Sequence, residues 1–157
     1  MRFLVAIIFS LLVMPGLAQG RKLPSISFQE HSTAFADANR SYSNTGSYTQ
    51  SDTLTDEVIL RSLAKIMELN PTLVILLTGH TALNEDQALG MQRAETVKQA
   101  LVDRGVDALR IQTENSAHNH PILSESVILS LPSKVERDVA NQKNRRVAVS
   151  VVKTVVE

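Results

Sequence analysis

The chain contains no cysteine and no tryptophan, and only two tyrosines and four phenylalanines. Without a thiol there can be no disulfide, no thiolate metal site and no cysteine nucleophile. A lipid-carrying cysteine at a leader cleavage site is excluded as well. The few aromatics leave an aliphatic core as the only option, with Phe28, Phe35, Tyr42 and Tyr48 as the exceptions beyond the first twenty residues. Excess charge of one sign is also missing, since 16 Lys and Arg stand against 16 Asp and Glu. That balance argues against nucleic acid held by bulk charge. No apolar run reaches the length of a membrane span. The enzyme templates are absent too: there is no Gly-x-Ser-x-Gly, His-Glu-x-x-His, Walker loop or Rossmann glycine pattern.

What is present begins with MRFLVAIIFSLLVMPGLAQG. Arg2 gives a basic start, Phe3 to Met14 an apolar stretch broken only by Ser10, and Gly16-Leu17-Ala18 a small-residue cleavage site. A secretory signal over residues 1–18 is expected, cleaved after Ala18. A single domain over the remaining residues, Gln19 to Glu157, is expected. Removal of Arg2 leaves the mature chain, Gln19 to Glu157, with a net charge of about −1. It is expected to close its core by packing alone.

Ile26-Ser27-Phe28 alternates and predicts a short first strand. Residues 36–52 are rich in Ser, Asn and Thr and predict an inserted polar loop. Thr53 to Leu69 predicts a helix, with Thr53-x-x-Asp56 as a capping box and Ile59, Leu63, Ile66 and Met67 on one face. It should stop at Asn70, which precedes Pro71. Leu73 to Thr78 is continuously apolar up to Thr78, as expected of a central strand covered on both faces. A second helix is expected over Glu85 to Arg104, with Met91, Ala94, Val97 and Leu101 inward and Gly105 ending it. Leu109, Ile111 and Thr113 predict a third strand. Ser116 to Leu131 carries no clear periodicity. Ser133-x-x-Glu136 predicts a short capped helix through Ala140. Val147, Val149 and Val151 form one face of a last strand. This order predicts an α/β (α+β) two-layer sandwich, a mixed sheet with helices on one face.

The four histidines are His31, His80, His118 and His120. His118-Asn119-His120 could offer two imidazoles to a metal, but no carboxylate third ligand accompanies them. No metal or other cofactor is expected. The informative residues lie elsewhere. Gly79-His80-Thr81 leaves the central strand, Arg93-Ala94 lies in the next helix with Val97 and Leu101 behind it, and Asn144-Arg145-Arg146-Val147 opens the last strand. Together these resemble the OmpA-like C-terminal domain, the peptidoglycan-binding module also found in peptidoglycan-associated lipoproteins and flagellar stator proteins. That family shows Gly-His-Thr-Asp, then Asn-x-x-Leu-Ser-x-x-Arg-Ala-x-x-Val-x-x-x-Leu, then Asn-Arg-Arg-Val. The resemblance covers Ile26 to Val152 apart from the 36–52 loop.

It implies recognition, not catalysis. The family's ligand is the diaminopimelate of the peptidoglycan stem peptide, a zwitterion whose ammonium pairs with the first motif's Asp and whose carboxylate pairs with the second motif's Arg. Planar guanidinium suits that carboxylate, and Arg93 stands in the matching place. Its competing reading is a helix-surface arginine paired with Glu85, Glu95 or solvent. The departures are specific. The family's Asp is Ala82 here, its Asn is Asp86, and its Ser is Gly90. The step from Ala82 to Arg93 is shorter than the family's by about one helical turn. Loss of a charged hydrogen bond of about 1.5–3 kcal/mol weakens binding about tenfold to a hundredfold. Either Glu85 or Asp86 replaces the lost carboxylate, or the pocket no longer reads diaminopimelate.

Asn144, Arg145 and Arg146 match the closing motif. Strand alternation turns the arginines to opposite faces, so one faces the Gly79–Thr81 end and the other pairs with a helix carboxylate. His80 reads as a structural donor beside Thr81, and His31 lies where the family places a polar contact after its first strand. The leading expectation is an exported, periplasmic, non-enzymatic domain with peptidoglycan as partner. An envelope protein partner would supply any link to the outer membrane. Two readings compete with it: a degenerate domain kept for protein–protein contact, and a metal-dependent hydrolase on His80, His118 and His120.

Overall fold

The computed structural model describes residues 23–36, 40–41 and 53–154. The expected leader and nearly all of the expected 36–52 loop lie outside the described residues. The elements run β1 (Ile26–Ser27), β2 (Arg40–Ser41), β3 (Thr53–Leu54), α1 (Asp56–Leu69), β4 (Leu73–His80), α2 (Ala88–Val102), a 3₁₀ turn (Ala108–Arg110), β5 (Ile111–Ala117), α3 (Glu125–Ser130), α4 (Lys134–Asn144) and β6 (Arg146–Thr154). Four strands form one mixed sheet in the order β1-β6-β4-β5, and β2 pairs with β3 separately. β4 runs parallel to β5 and antiparallel to β6. The fold is thus the α+β sandwich with a mixed sheet that the pattern predicts.

α1 starts two residues later than the Thr53 box implies. Thr55 is its N-cap, its hydroxyl accepting from the Val58 amide at 3.3 Å, while Thr53 and Leu54 form β3. Asp56 and Glu57 in the first turn suit the positive end of the helix dipole. Ile59, Leu63 and Met67 are buried as expected, but Ile66 faces solvent. The Arg110 guanidinium closes the other end of α1, donating to the carbonyls of Met67, Asn70 and Leu73.

β4 is not covered on both faces. Leu73, Ile75 and Leu77 are buried and alternate with half-buried Val74, Leu76 and Thr78, the signature of a sheet with one packed face. The buried side meets α1 and α2 in one aliphatic core that includes Leu63, Met67, Ala94, Val97, Leu101, Ile111, Val147 and Val149. Helix α2 begins at Ala88, and Met91 lies on its exposed side. Gly105, past the helix end, turns the chain with φ +89°, a conformation suited to glycine.

Leu109 belongs to the 3₁₀ turn rather than to β5 and is 88 % exposed. The unassigned stretch holds α3, anchored by buried Ile128. Ser133 and Glu136 form the reciprocal capping box predicted for them, and α4 continues to Asn144. The last strand therefore opens at Arg146, with Arg145 as the C-cap of α4. Val151 is 47 % exposed and leaves the core face that Val147 and Val149 occupy.

Candidate functional site

The end of β4 and the start of α2 approach each other through two glycines. A Cβ on Gly79 would fall 1.7 Å from the Gly90 carbonyl oxygen, far inside any tolerable contact. Only an unsubstituted pair lets the helix lie this close to the strand. One turn beyond Gly90, Arg93 is thereby delivered to the corner where Gly79-His80-Thr81 leaves the sheet.

Arg93 is wholly buried, and every one of its five N–H donors is used. Nη1 donates to Glu85 Oε2 at 2.9 Å and to the His80 carbonyl at 3.2 Å. Nη2 donates to Glu85 Oε1 at 2.7 Å and to the Gln29 carbonyl at 3.1 Å. Nε donates to the Ser32 carbonyl at 3.0 Å. The guanidinium also lies 5.5 Å from the centre of the Phe28 ring, within cation–π range. This is a planar fork-to-fork ion pair enclosed by backbone, with neither side chain exposed.

Glu85 is equally occupied. Besides Arg93, Oε1 accepts from the His31 amide at 2.8 Å and Oε2 from the Ala82 amide at 2.9 Å. Burial alone would raise its pKa, but the hydrogen bonds from Arg93, Ala82 and His31 together hold it below the usual carboxylate range. Arg145 brings Nε to 3.3 Å from Glu85 Oε1, donates through Nη2 to Glu30 Oε1 at 2.8 Å, and through Nη1 to Gln142 at 3.3 Å. The corner is thus an alternating row of charges: Glu30, Arg145, Glu85, Arg93. Glu30 is its accessible member, with 47 % of its side chain exposed, and it also accepts from Asn84.

The other expected site residues are placed around this row. Asp86 is exposed and accepts from the Ala88 amide at 2.8 Å, forming a local turn just ahead of α2, whose N-cap is Gln87. Asn144 is buried, accepting from the Ile122 and Leu123 amides and donating to the Leu123 carbonyl, which pins the chain ahead of α3. Thr81 is buried and shares a 2.9 Å hydrogen bond with His118 Nδ1. His80 is buried, and its Nδ1 lies 3.2 Å from the Asn119 carbonyl. A carbonyl can only accept, so this nitrogen carries the proton. Burial first, then the nearby Arg146 charge, lower the His80 pKa to about 4.

Strand alternation does not apply to Arg145 and Arg146, because Arg145 caps α4 and only Arg146 is in β6, and the two have different partners. Neither meets a helix carboxylate: Arg145 takes Glu30 and Glu85, while Arg146 donates to the His120 carbonyl at 3.1 Å. Burial lowers the Arg146 pKa as well. No three metal-ligating side chains converge among the described residues. An open hollow with the Arg93 head group aimed into it is not what forms, because Glu85 fills the space in front of the guanidinium. Sequence reasoning named Glu85 but missed Glu30, Gln142 and the backbone of residues 29–32. Three of these contacts are main-chain groups, which leave no trace in residue type.

A mixed sheet packed on helices, with this charged corner at the end of β4, defines a small α+β domain. The sequence matches the model of the OmpA family over residues 45–130, and the chain belongs to that family. No curated protein matches it. Its fold is similar to the peptidoglycan-associated lipoprotein from Burkholderia pseudomallei, with TM-score 0.58 and 20% identity over 82% of this chain and 89% of that one. It is also similar to the C-terminal domain of Helicobacter pylori MotB, with TM-score 0.57 and 18% identity over 83% and 84% of the two chains. The cell wall anchor of the T6SS from Pseudomonas aeruginosa matches with TM-score 0.52 and 19% identity over 80% and 73%.

Proposed function

We propose that this protein is a non-catalytic, exported domain that associates with peptidoglycan in the periplasm. The observation that carries the reading is the meeting of three sequence motifs at one corner. Arg93 of the second motif bonds the His80 carbonyl of the first, and Arg145 of the third lies beside Glu85. Membership of the OmpA family and likeness to a peptidoglycan-associated lipoprotein and a cell wall anchor support it. Among the described residues no helix is long and apolar enough to cross a membrane, and an envelope protein is the partner we propose for a link to the outer membrane.

Ala82 is fully buried and offers nothing to an ammonium group. The accessible acid at the corner is Glu30, between Asn84 and Arg145, and it is the residue we assign to a cationic ligand group. His80, Thr81, Asp86 and Asn144 hold the corner's shape. Cosedimentation of the purified protein with sacculi at low salt tests the reading, and a protein that stays in the supernatant overturns it.

A second reading, a domain retained for protein–protein contact, is favoured by one observation: Arg93 has no donor left for a ligand. Exposed Ile122, Val127, Leu129, Val135 and Val139 around α3 and α4 supply apolar surface for it. Capture of an envelope protein by a chain that ignores sacculi is its expected signature.

A further inference from the structure

We propose that Glu85 is a built-in ligand: its carboxylate occupies the seat on Arg93 that an incoming carboxylate would take, and so sets how tightly the corner binds anything acidic. This inference rests on the cell-wall reading for its biological meaning, but its physical core is independent of it. Two parallel N–H···O contacts at 2.7 and 2.9 Å are the arrangement a free carboxylate makes with a guanidinium. The two amides of His31 and Ala82 complete a four-donor cradle around those oxygens. Such a cradle fits any carboxylate of similar reach, whether its own or a visitor's.

The loop holds its plug locally. The Ala82 amide donates to the Glu85 side chain, while the Glu85 amide donates back to the Ala82 carbonyl at 3.1 Å. Glu85 therefore sits in a closed turn whose tip, Leu83 and Asn84, faces solvent. A visiting carboxylate must compete with a tethered one at high effective concentration. The wild-type seat is then shut to weak acids. Substitution of Glu85 opens it, leaving a buried guanidinium and two unpaired amides that an external carboxylate can satisfy.

Chemical rescue tests this. Glu85→Ala should melt several degrees below the wild type. Acetate, compared with chloride at equal ionic strength, should raise its melting temperature saturably while leaving the wild type unmoved. Glu85→Ala/Arg93→Met should show no acetate-specific rise. Glu85→Ala should also pellet with sacculi at salt concentrations that release the wild type. If Glu85→Ala folds only in acetate, the proposal stands, and if it folds in neither salt, the proposal falls. The Arg93 Nε–H resonance gives a second readout: it should shift with acetate in Glu85→Ala, and should stay fixed in the wild type and in Glu85→Gln, whose side chain still fills the seat. No acetate-specific effect in Glu85→Ala overturns the built-in ligand. Wild-type pelleting with sacculi is scored separately, so the failure of either reading leaves the other measurable.

Discussion

Gly79 and Gly90 touch backbone to backbone, and the position of the whole charged corner depends on that contact. A Cβ at Gly79 meets the Gly90 carbonyl, whereas a Cβ at Gly90 first meets the Asn115 side chain at 2.2 Å. The first obstacle is main chain at 1.7 Å, whereas the second is a side chain that can partly move, with main chain, the Gly79 carbonyl oxygen, no nearer than 2.9 Å. Gly79→Ala should cost more than about 3 kcal/mol, beyond ordinary overpacking, and Gly90→Ala should cost less. Urea denaturation of the two variants checks the ranking. Equal losses would show that α2 shifts freely along the strand.

Arg93 and Glu85 should behave as one unit. Arg93→Met strips the buried Glu85 carboxylate of its bidentate partner and leaves it only Arg145 Nε at 3.3 Å as a counter-charge, a loss of about 3–5 kcal/mol. Adding Glu85→Gln to that variant should cost far less than Glu85→Gln costs alone. A double-mutant cycle should give a coupling of about 1–3 kcal/mol, and additive losses would deny the ion pair its role.

His80 makes stability depend on pH. Its folded pKa of about 4 lies below the 6.5 of the free side chain. Between those values the unfolded chain binds a proton that the folded chain refuses, so the contribution is complete above about pH 6.5 and declines as pH falls to about 4. The size is about 2–3 kcal/mol at most. Glu85, with its pKa lowered, adds a loss of the same sign below its ordinary value of 4.5. His80→Asn, which preserves a donor for the Asn119 carbonyl, should flatten the decline between pH 6.5 and 4.5. Denaturant midpoints at the two pH values are the measurement.

Asn144 holds the segment before α3 through three hydrogen bonds. Asn144→Ala should cost about 1–3 kcal/mol, since buried main-chain groups lose their partners. Hydrogen exchange should quicken at the Ile122 and Leu123 amides, with the amides of β4 keeping their relative protection.

The elements with strong periodicity were legible: α1 from its Ile59, Leu63 and Met67 stripe, α4 from the Ser133–Glu136 box, and β4 from its apolar run. The one-sided burial of β4 was not, because Val74 and Leu76 look the same whether covered or half-covered. Leu109 was read into a strand by alternation, but Asp107 caps a 3₁₀ turn there by accepting from the Leu109 amide at 2.9 Å. The Arg93–Glu85 pairing was among the competing readings of the sequence, but as a helix-surface contact, whereas both side chains are buried. Nothing in residue order says that Glu85 turns inward onto Arg93, since that depends on the closed turn from Ala82. Gly90 looked like a lost serine, and its reason emerges only from the close approach to Gly79.

The first described residues gain their place from partners far along the chain. Gln29 and Ser32 offer carbonyls to Arg93, Phe28 offers one to Gln142, Glu30 pairs with Arg145, and the Ser27 amide donates to Asp56. A two-residue strand has little ladder to hold it, so these clasps fasten it instead. Contacts spanning 29 to 115 positions carry a large loop-closure cost. The segment around β1 should accordingly be the last piece to lock during folding and the first to loosen. Pulse-labelled hydrogen exchange should find the Phe28 amide protected after that of Leu77.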